Sequence, residues 1–471
     1  MYSEIRFRLQ RWFRPTIFLL SIAVFVVFFN IPTPDGLTVE GQKALAIFLV
    51  AILLWVTNVL PLMITSLLVV ILLPLSKVLT SAESYALFGN QAIFFILGAF
   101  ILASGIMRSG LSTRLALIAL RNFGRSSNSL LAGFLCLPAF LSFWMSEHAV
   151  AAMMFPIVLE VTAALKLVPM RSRYGKALVL AMAWGCIIGG IATFLGGARA
   201  SLAVGILYKA TGLSIGFLPW ALAAFPTVVL LLIVAYLVLV KVFKPEKQDI
   251  HEALDALKKK QLRLKHITLR ELGLGLLMVV TVFLWIFLGE EFGLANIALG
   301  AVAVAFVFKL LDWKEVEQDV NWGIFLMYGG AISLGFAMEH SGAAQWLADR
   351  TLGLLIDSPW GLIAMISLFS LFLTEAISNA AVVALILPLS LGFADKLGLD
   401  PRVVTLAVTI PSGLGFILPT GTPATAIAYS SGFLRIKDTV IGGMILNVMS
   451  WVLFMISIYF YWPLIGFKLS N

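Results

Sequence analysis

The chain has 471 residues, 61% of them hydrophobic and only 12% charged, with a mean hydropathy of +1.02. That leaves too little polar surface to cover a water-soluble particle of this size, which excludes the soluble globular classes. The net charge of +9 is read as loop charge that orients a membrane protein, so no nucleic-acid partner is expected.

Apolar runs recur along the whole chain and predict an all-α polytopic membrane protein lying in the lipid bilayer. The first helix is expected at 15–31, after Arg6, Arg8, Arg11 and Arg14. It lacks a small-residue cleavage site and is read as a retained helix rather than a signal peptide. Helices at 42–59, 61–76 and 90–107 follow, then a basic connector with Arg114, Arg121 and Arg125. The segments 129–144 and 149–166 are short for a membrane span and have basic residues on both flanks, which suits a re-entrant hairpin that enters and leaves on one side. A helix at 177–208, interrupted at 195–200, and another at 218–241 complete a first half, residues 1–240.

Residues 241–271 form a basic linker whose Ala253, Leu254, Leu257, Leu262 and Leu264 suit a short amphipathic helix at the membrane surface. The second half, 272–471, is expected to hold helices at 272–288, 294–311 and 321–338, a second hairpin at 360–397, a helix at 401–430 interrupted at 418–425, and a last helix at 439–463. This makes about eleven transmembrane helices plus two re-entrant hairpins and two broken helices. With the N-terminus cytoplasmic, 25 of the 33 Lys and Arg residues fall on the inner side. The positive-inside rule therefore puts the C-terminus outside.

The two halves echo one another. Ser146 and Ser378 each precede a run of small and apolar residues that ends in a proline ten positions on, Pro156 and Pro388, and they lie 232 residues apart. Asn90 to Gly98 resembles Asn321 to Gly329, and Met107–Gly110 resembles Met338–Gly342. Glycine breaks follow each hairpin, Gly196-Gly197-Ala198-Arg199-Ala200 and Gly421-Thr422-Pro423-Ala424-Thr425. Matching features in one order predict an inverted repeat, and broken helices in corresponding places point to a midplane transport site.

Backbone that leaves helical geometry within a membrane must be buried in protein or line a wet cavity. Half-helices starting near Ala149, Ala381 and the two glycine breaks aim free N–H groups and positive dipole ends inward, which suits a carboxylate. Ser146, Ser378, Asn379, Thr422 and Thr425 add neutral donors; taken singly, each reads equally well as a helix cap. Glu147, His148 and Arg199 are ionisable groups at membrane depth and hence site candidates, with a structural ion pair as the plainer reading of Glu147 and Arg199. Glu375 is left between a buried supporting role and an outward-facing one. Cys136 and Cys186 lie in apolar runs and suggest neither a disulfide nor a metal site. Ser146-Glu147-His148 has the residue types of a hydrolase triad, but adjacent side chains diverge where a triad must converge, so no enzyme is expected.

These motifs resemble, over nearly the whole chain, the divalent anion/sodium symporter family of INDY-type dicarboxylate carriers. The resemblance implies two Ser-Asn-Thr hairpin tips, two Gly-Thr/Ser-Pro breaks, a homodimer and an elevator motion. The chain departs from the pattern. The second tip keeps Ser378 and Asn379 but has Ala380. The first keeps only Ser146, followed by Glu147 and His148. Arg199 and Ala200 stand where the family tends to have Pro and Asn. The implied substrate-binding set is Ser146, Glu147, His148, Gly196, Gly197, Arg199, Ser378, Asn379, Ala380, Gly421, Thr422, Pro423 and Thr425, with no bound metal and no cofactor.

The family's first sodium site lies beside the first tip and first break. A permanently charged arginine there substitutes for the ion, with His148 as a second cation. The function expected on this basis is sodium-independent exchange of dicarboxylates such as succinate, malate or 2-oxoglutarate, in a bacterial cytoplasmic membrane. The alternatives are a sodium- or proton-coupled importer of di- or tricarboxylates or of sulfate, and a membrane receptor that binds an anion without moving it.

Overall fold

The computed structural model describes residues 2–246, 249–264, 266–351, 358–419 and 421–469, and all its regular elements are helical. Lys247 and Lys265 of the basic linker lie outside the described residues. Eight helices among those described are long and apolar enough to cross a membrane, or nine if the bent pair Trp313–Asp319 and Trp322–His340 counts as one span. Shorter apolar helices such as Leu62–Leu75 and Leu294–Val307 supplement them.

The first helix starts at Tyr2, well before the expected position, and runs to Asn30. Four short helices lie in stretches read as loop or connector: Ser81–Ala86, Leu111–Asn122, Trp313–Asp319 and Ala343–Thr351.

Both hairpins form. Hairpin 1 pairs Ser127–Leu141 with Glu147–Ala164, and hairpin 2 pairs Pro359–Ala376 with Asn379–Leu397. Ser146 and Ser378 are the N-caps of the returning helices, with φ/ψ of −62/142° and −64/143°. Each hydroxyl accepts a backbone N–H three residues on, from Ala149 at 3.3 Å and from Ala381 at 3.2 Å. One short polar side chain thus stops and restarts the helix in the same way at both tips.

Both broken helices form, with breaks wider than the sequence suggested. The first runs Arg173–Gly189, leaves helical geometry over 190–197 and resumes at Ala198–Thr211. The second runs Pro401–Thr409, makes a single 3₁₀ turn at Pro411–Gly413 and resumes only at Pro423–Ser430. Proline and glycine at 411 and 413 follow its end at Thr409, well before the Gly421 motif.

The helix Arg173–Gly189 is the buried axis of the first half, with every residue from Ala177 to Gly189 inaccessible. Its contact with Ser127–Leu141 is close because Gly185 and Gly189 share one face: a Cβ on either would overlap the carbonyl of Leu135 or Ala139. Small residues four apart let two backbones approach where lipid offers no hydrophobic drive between helices. Gly330 admits Ser66 in the same manner.

The amphipathic linker helix forms over His251–Arg263, with part of its apolar stripe covered by protein and Leu262 left exposed. Ala253 and Leu257 are buried, and the helix packs on Leu111–Asn122 and on Glu147–Ala164 of hairpin 1. Lys260 pairs with Glu160 at 2.5 Å and Lys166 with Glu252 at 3.4 Å.

Candidate substrate site at the hairpin tips

Four discontinuities converge on Glu147 and Arg199. Glu147 opens the returning helix of hairpin 1, and its N–H donates to the Gly196 carbonyl at 2.9 Å, fixing the tip to the first break. Its carboxylate is 3% exposed and lies against Gly190, where a Cβ would come within 2.5 Å of Oε2. Arg199, in the first turn after the break, is equally buried; its Nη2 donates to the Gly190 carbonyl at 3.1 Å. Nη1 stands 3.7 Å from Glu147 Oε2, an ion pair too long for a hydrogen bond. The guanidinium occupies a slot between Gly197 and Gly413, where a Cβ at either position would overlap it.

Hairpin 2 reaches the same point. Asn379 Nδ2 donates to Glu147 Oε1 at 3.4 Å, while its Oδ1 accepts from Thr374 Oγ1 at 2.7 Å. Thr374 Oγ1 is also 2.7 Å from the Ser412 carbonyl of the second break. The structure thus brings together Ser146, Glu147, Gly196, Gly197, Arg199, Ser378 and Asn379. Ser146, Ser378, Asn379 and Ala380 are half-buried, and Ala380 brings no polar group where the family pattern has a threonine.

His148 is exposed and makes no hydrogen bond or ion pair among the described residues, yet it lies within electrostatic reach of Arg199 and so stays beside the cluster. Thr422 and Thr425 close a reciprocal capping box. Thr422 Oγ1 accepts the Thr425 N–H at 3.2 Å, and Thr425 Oγ1 accepts the Thr422 N–H at 3.1 Å. Their hydroxyls serve the helix that Pro423 begins, which is the capping role rather than a free donor pair.

Glu375 resolves to the buried alternative. Its carboxylate, one turn before the tip of hairpin 2, accepts the consecutive N–H groups of Phe416 at 2.7 Å, Ile417 at 3.0 Å and Leu418 at 2.8 Å, plus Asn447 Nδ2 at 2.9 Å. Gly421 leaves room for it, since a Cβ there would meet Oε2 at 2.9 Å. A nest of successive N–H groups is an anion-binding concavity, and in the second break the chain fills it with its own carboxylate. Tyr328 was also missed. Fully buried on Trp322–His340, its hydroxyl has no hydrogen-bond partner among the described residues, and it lies within electrostatic reach of Arg199. Ser142 Oγ, at the end of the first hairpin helix, is likewise buried, beside the Cys186 thiol.

Among the described residues no three His, Cys, Asp or Glu side chains cluster to hold a metal.

Comparison with known proteins identifies the family. The family model described as the sodium:sulfate symporter transmembrane region matches residues 13–467. A sodium-dependent dicarboxylate transporter of Staphylococcus saprophyticus is 31% identical over 95% of this chain and 90% of its own length. Its Staphylococcus aureus counterpart is 30% identical over 96% and 90%. Among solved structures, the antimetabolite efflux pump MtrF of Neisseria gonorrhoeae superposes with a TM-score of 0.62 at 13% identity, covering 98% of this chain and 99% of that one. The YdaH transporter of Alcanivorax borkumensis gives 0.55 at 15% identity, covering 82% and 88%. At such identities these two establish the fold alone. Helical architecture, repeated hairpin tips and a match over almost the entire chain lead to one conclusion: this chain belongs to the sodium:sulfate symporter transmembrane family, and it is a multi-pass membrane transporter, not an enzyme.

Proposed function

We propose that the protein is a secondary transporter of dicarboxylates of four or five carbons, such as succinate, malate or 2-oxoglutarate, driven by co-transported sodium. The observation that carries this reading is the buried Glu147–Arg199 pair. The exchange reading rests on Arg199 as an uncompensated fixed cation, and Glu147 at 3.7 Å compensates it. The helix ends at Ser146, Gly197 and Ser378 contribute roughly half a positive charge each, about one and a half in total against the two negative charges of the substrate. A charge left over at membrane depth is costly, and cations carried with the substrate offset it. Sodium dependence of the Staphylococcus relatives supports the same choice.

In this reading the site is formed by Ser146, Gly196, Gly197, Ser378 and Asn379, with the Glu147–Arg199 pair as its floor. The two hairpins are re-entrant from opposite sides, the halves form an inverted repeat, and a homodimer moves its hairpins and broken helices as an elevator. The N-terminus is cytoplasmic and the C-terminus external in a bacterial cytoplasmic membrane.

A second reading, sodium-independent exchange, is favoured by Arg199 itself, since a guanidinium at the first break occupies space a sodium ion would need. Uptake of labelled succinate into proteoliposomes separates the two. Sodium-driven uptake into empty vesicles is the expected result. Uptake confined to succinate-loaded vesicles and indifferent to sodium would reject coupling and restore exchange. Uptake driven only by an imposed proton gradient would transfer the coupling to protons.

A further inference from the structure

A cavity of about 370 Å³ lies away from the hairpin tips, and none of Ser146, Glu147, Arg199, Ser378 and Asn379 lines it. Three helices begin at its wall: Gln91–Ser109, Phe217–Lys241 and Leu294–Val307. Each brings the positive end of its dipole and its free first-turn N–H groups to the same space. Asn90 caps the first of these ends through the Ala92 N–H at 2.8 Å. The other two begin after Gly216 and Gly293, which carry no side chain that can cap.

An independent feature points the same way. Ser201 lines the cavity at 2% exposure, and its buried hydroxyl has no hydrogen-bond partner among the described residues. An unmet buried hydroxyl is costly unless something in the cavity satisfies it. Part of the wall is aromatic: Phe95, Phe194, Phe217 and Trp285 pack edge-on or tilted against one another at centroid distances of 5.3 to 6.0 Å, a preorganised apolar surface. Glu290 is the one charged side chain among the described lining residues; it is exposed, and its carboxylate lies near Gly216.

We propose that this chamber is a second binding site, for an amphiphilic aromatic monocarboxylate. The ring lies against the Phe95–Trp285 wall, and the carboxylate faces the helix ends and the Ser201 hydroxyl, deeper than Glu290. Dicarboxylates of four carbons have no apolar body to fill the aromatic side, so the two sites take different ligands. The volume suits a ligand of roughly a dozen non-hydrogen atoms. Because Ser201 sits on the helix that carries Arg199, occupancy is expected to lower the maximal transport rate without raising the KM for succinate. That consequence alone rests on the function proposed above.

The test is equilibrium dialysis of labelled 4-phenylbutyrate against the purified full-length protein, which needs no transport. Saturable binding that excess succinate does not displace is expected. Ser201→Ala should weaken it about fivefold, the loss of one neutral hydrogen bond. Ser214→Trp, at an exposed lining position, should block it, and Glu290→Gln should tighten it. The amine of the same shape, 4-phenylbutylamine, should not compete. Displacement by succinate would assign the binding to the hairpin tips and overturn the proposal. So would equal binding of the amine, wild-type affinity in both Ser201→Ala and Ser214→Trp, or no saturable binding at all.

Discussion

Asn379 donates its side-chain amide to the carboxylate of Glu147 across 3.4 Å, although the two residues stand 232 positions apart. It is the hydrogen bond that ties the tip of one hairpin to the tip of the other. Through Glu147 it reaches Arg199, so three elements share one small polar cluster.

Breaking that cluster from the cationic side should be expensive. Arg199→Ala leaves Glu147 buried and unpaired, and removing one partner of a buried pair costs about 3–5 kcal/mol. Glu147→Gln combined with Arg199→Ala should recover a large part of that loss, because no uncompensated charge remains. Thermal melting of the purified single and double variants checks this. In transport, Arg199→Ala should fall at least about tenfold and show an altered dependence on sodium. Wild-type uptake by this variant would end the case for Arg199 in the site.

The second tip should matter for affinity. Ser378→Ala removes a helix cap worth about 1 kcal/mol, and Asn379→Ala removes the amide facing Glu147. We expect the double variant to raise the KM for succinate about tenfold or more, read from initial uptake rates over a range of concentrations. An unchanged KM would take hairpin 2 out of the binding site.

Glu375 should act on rate more than on affinity, since it holds the second break from behind. Hydrogen bonds to a charged group contribute about 1.5–3 kcal/mol. Glutamine keeps one acceptor oxygen but turns an N–H₂ toward the Phe416–Leu418 nest. Glu375→Gln is therefore expected to lower the melting temperature clearly and to reduce the maximal uptake rate with a smaller change in KM. Gln with wild-type stability would mean that the nest does not need the charge.

One acid-sensitive contact lies outside the spans. Burial pushes the Glu246 carboxyl up, but the backbone N–H groups it accepts, including those of Tyr174 at 2.8 Å and Arg173 at 3.2 Å, together with the Arg173 side chain, outweigh this and hold it below the usual glutamate range. A carboxyl lowered on folding contributes stability above its unfolded pKa and loses it as pH falls through the folded value. The melting temperature of Glu246→Gln should thus lie below wild type at pH 7, by no more than about 2 °C for so exposed a group. The gap should close as pH falls below 4. A gap that persists at low pH would mean that the contact works through shape rather than charge.

The hairpins were legible because a single serine N-cap before an apolar run and a later proline is a local signal, and local geometry obeyed it at Ser146 and Ser378. The start of each break was not. Gly190 keeps an α-like φ/ψ of −65/−14° as the C-cap of its helix, so Gly189-Gly190 reads as ordinary small-residue helix until the neighbouring carbonyls are seen. Glu375 was ambiguous for a different reason: its partners are backbone N–H groups 41 to 43 residues away, which carry no sequence signature. Tyr328 looked like one more aromatic in an apolar run. The linker helix showed its apolar stripe plainly, but a stripe does not say whether lipid or protein covers it. Here Ala253 and Leu257 meet hairpin 1 and Leu111–Asn122.

The slot that holds the Arg199 guanidinium is walled by Gly197 on one side and Gly413 on the other, one glycine from each broken helix. This makes position 199 answerable to a residue 214 positions downstream. A Cβ at 413 would overlap the guanidinium where Arg199 now lies, so a larger residue there requires the arginine to move. The two broken helices are thus coupled at this point through the volume of one side chain, so a substitution in either break is felt in the other.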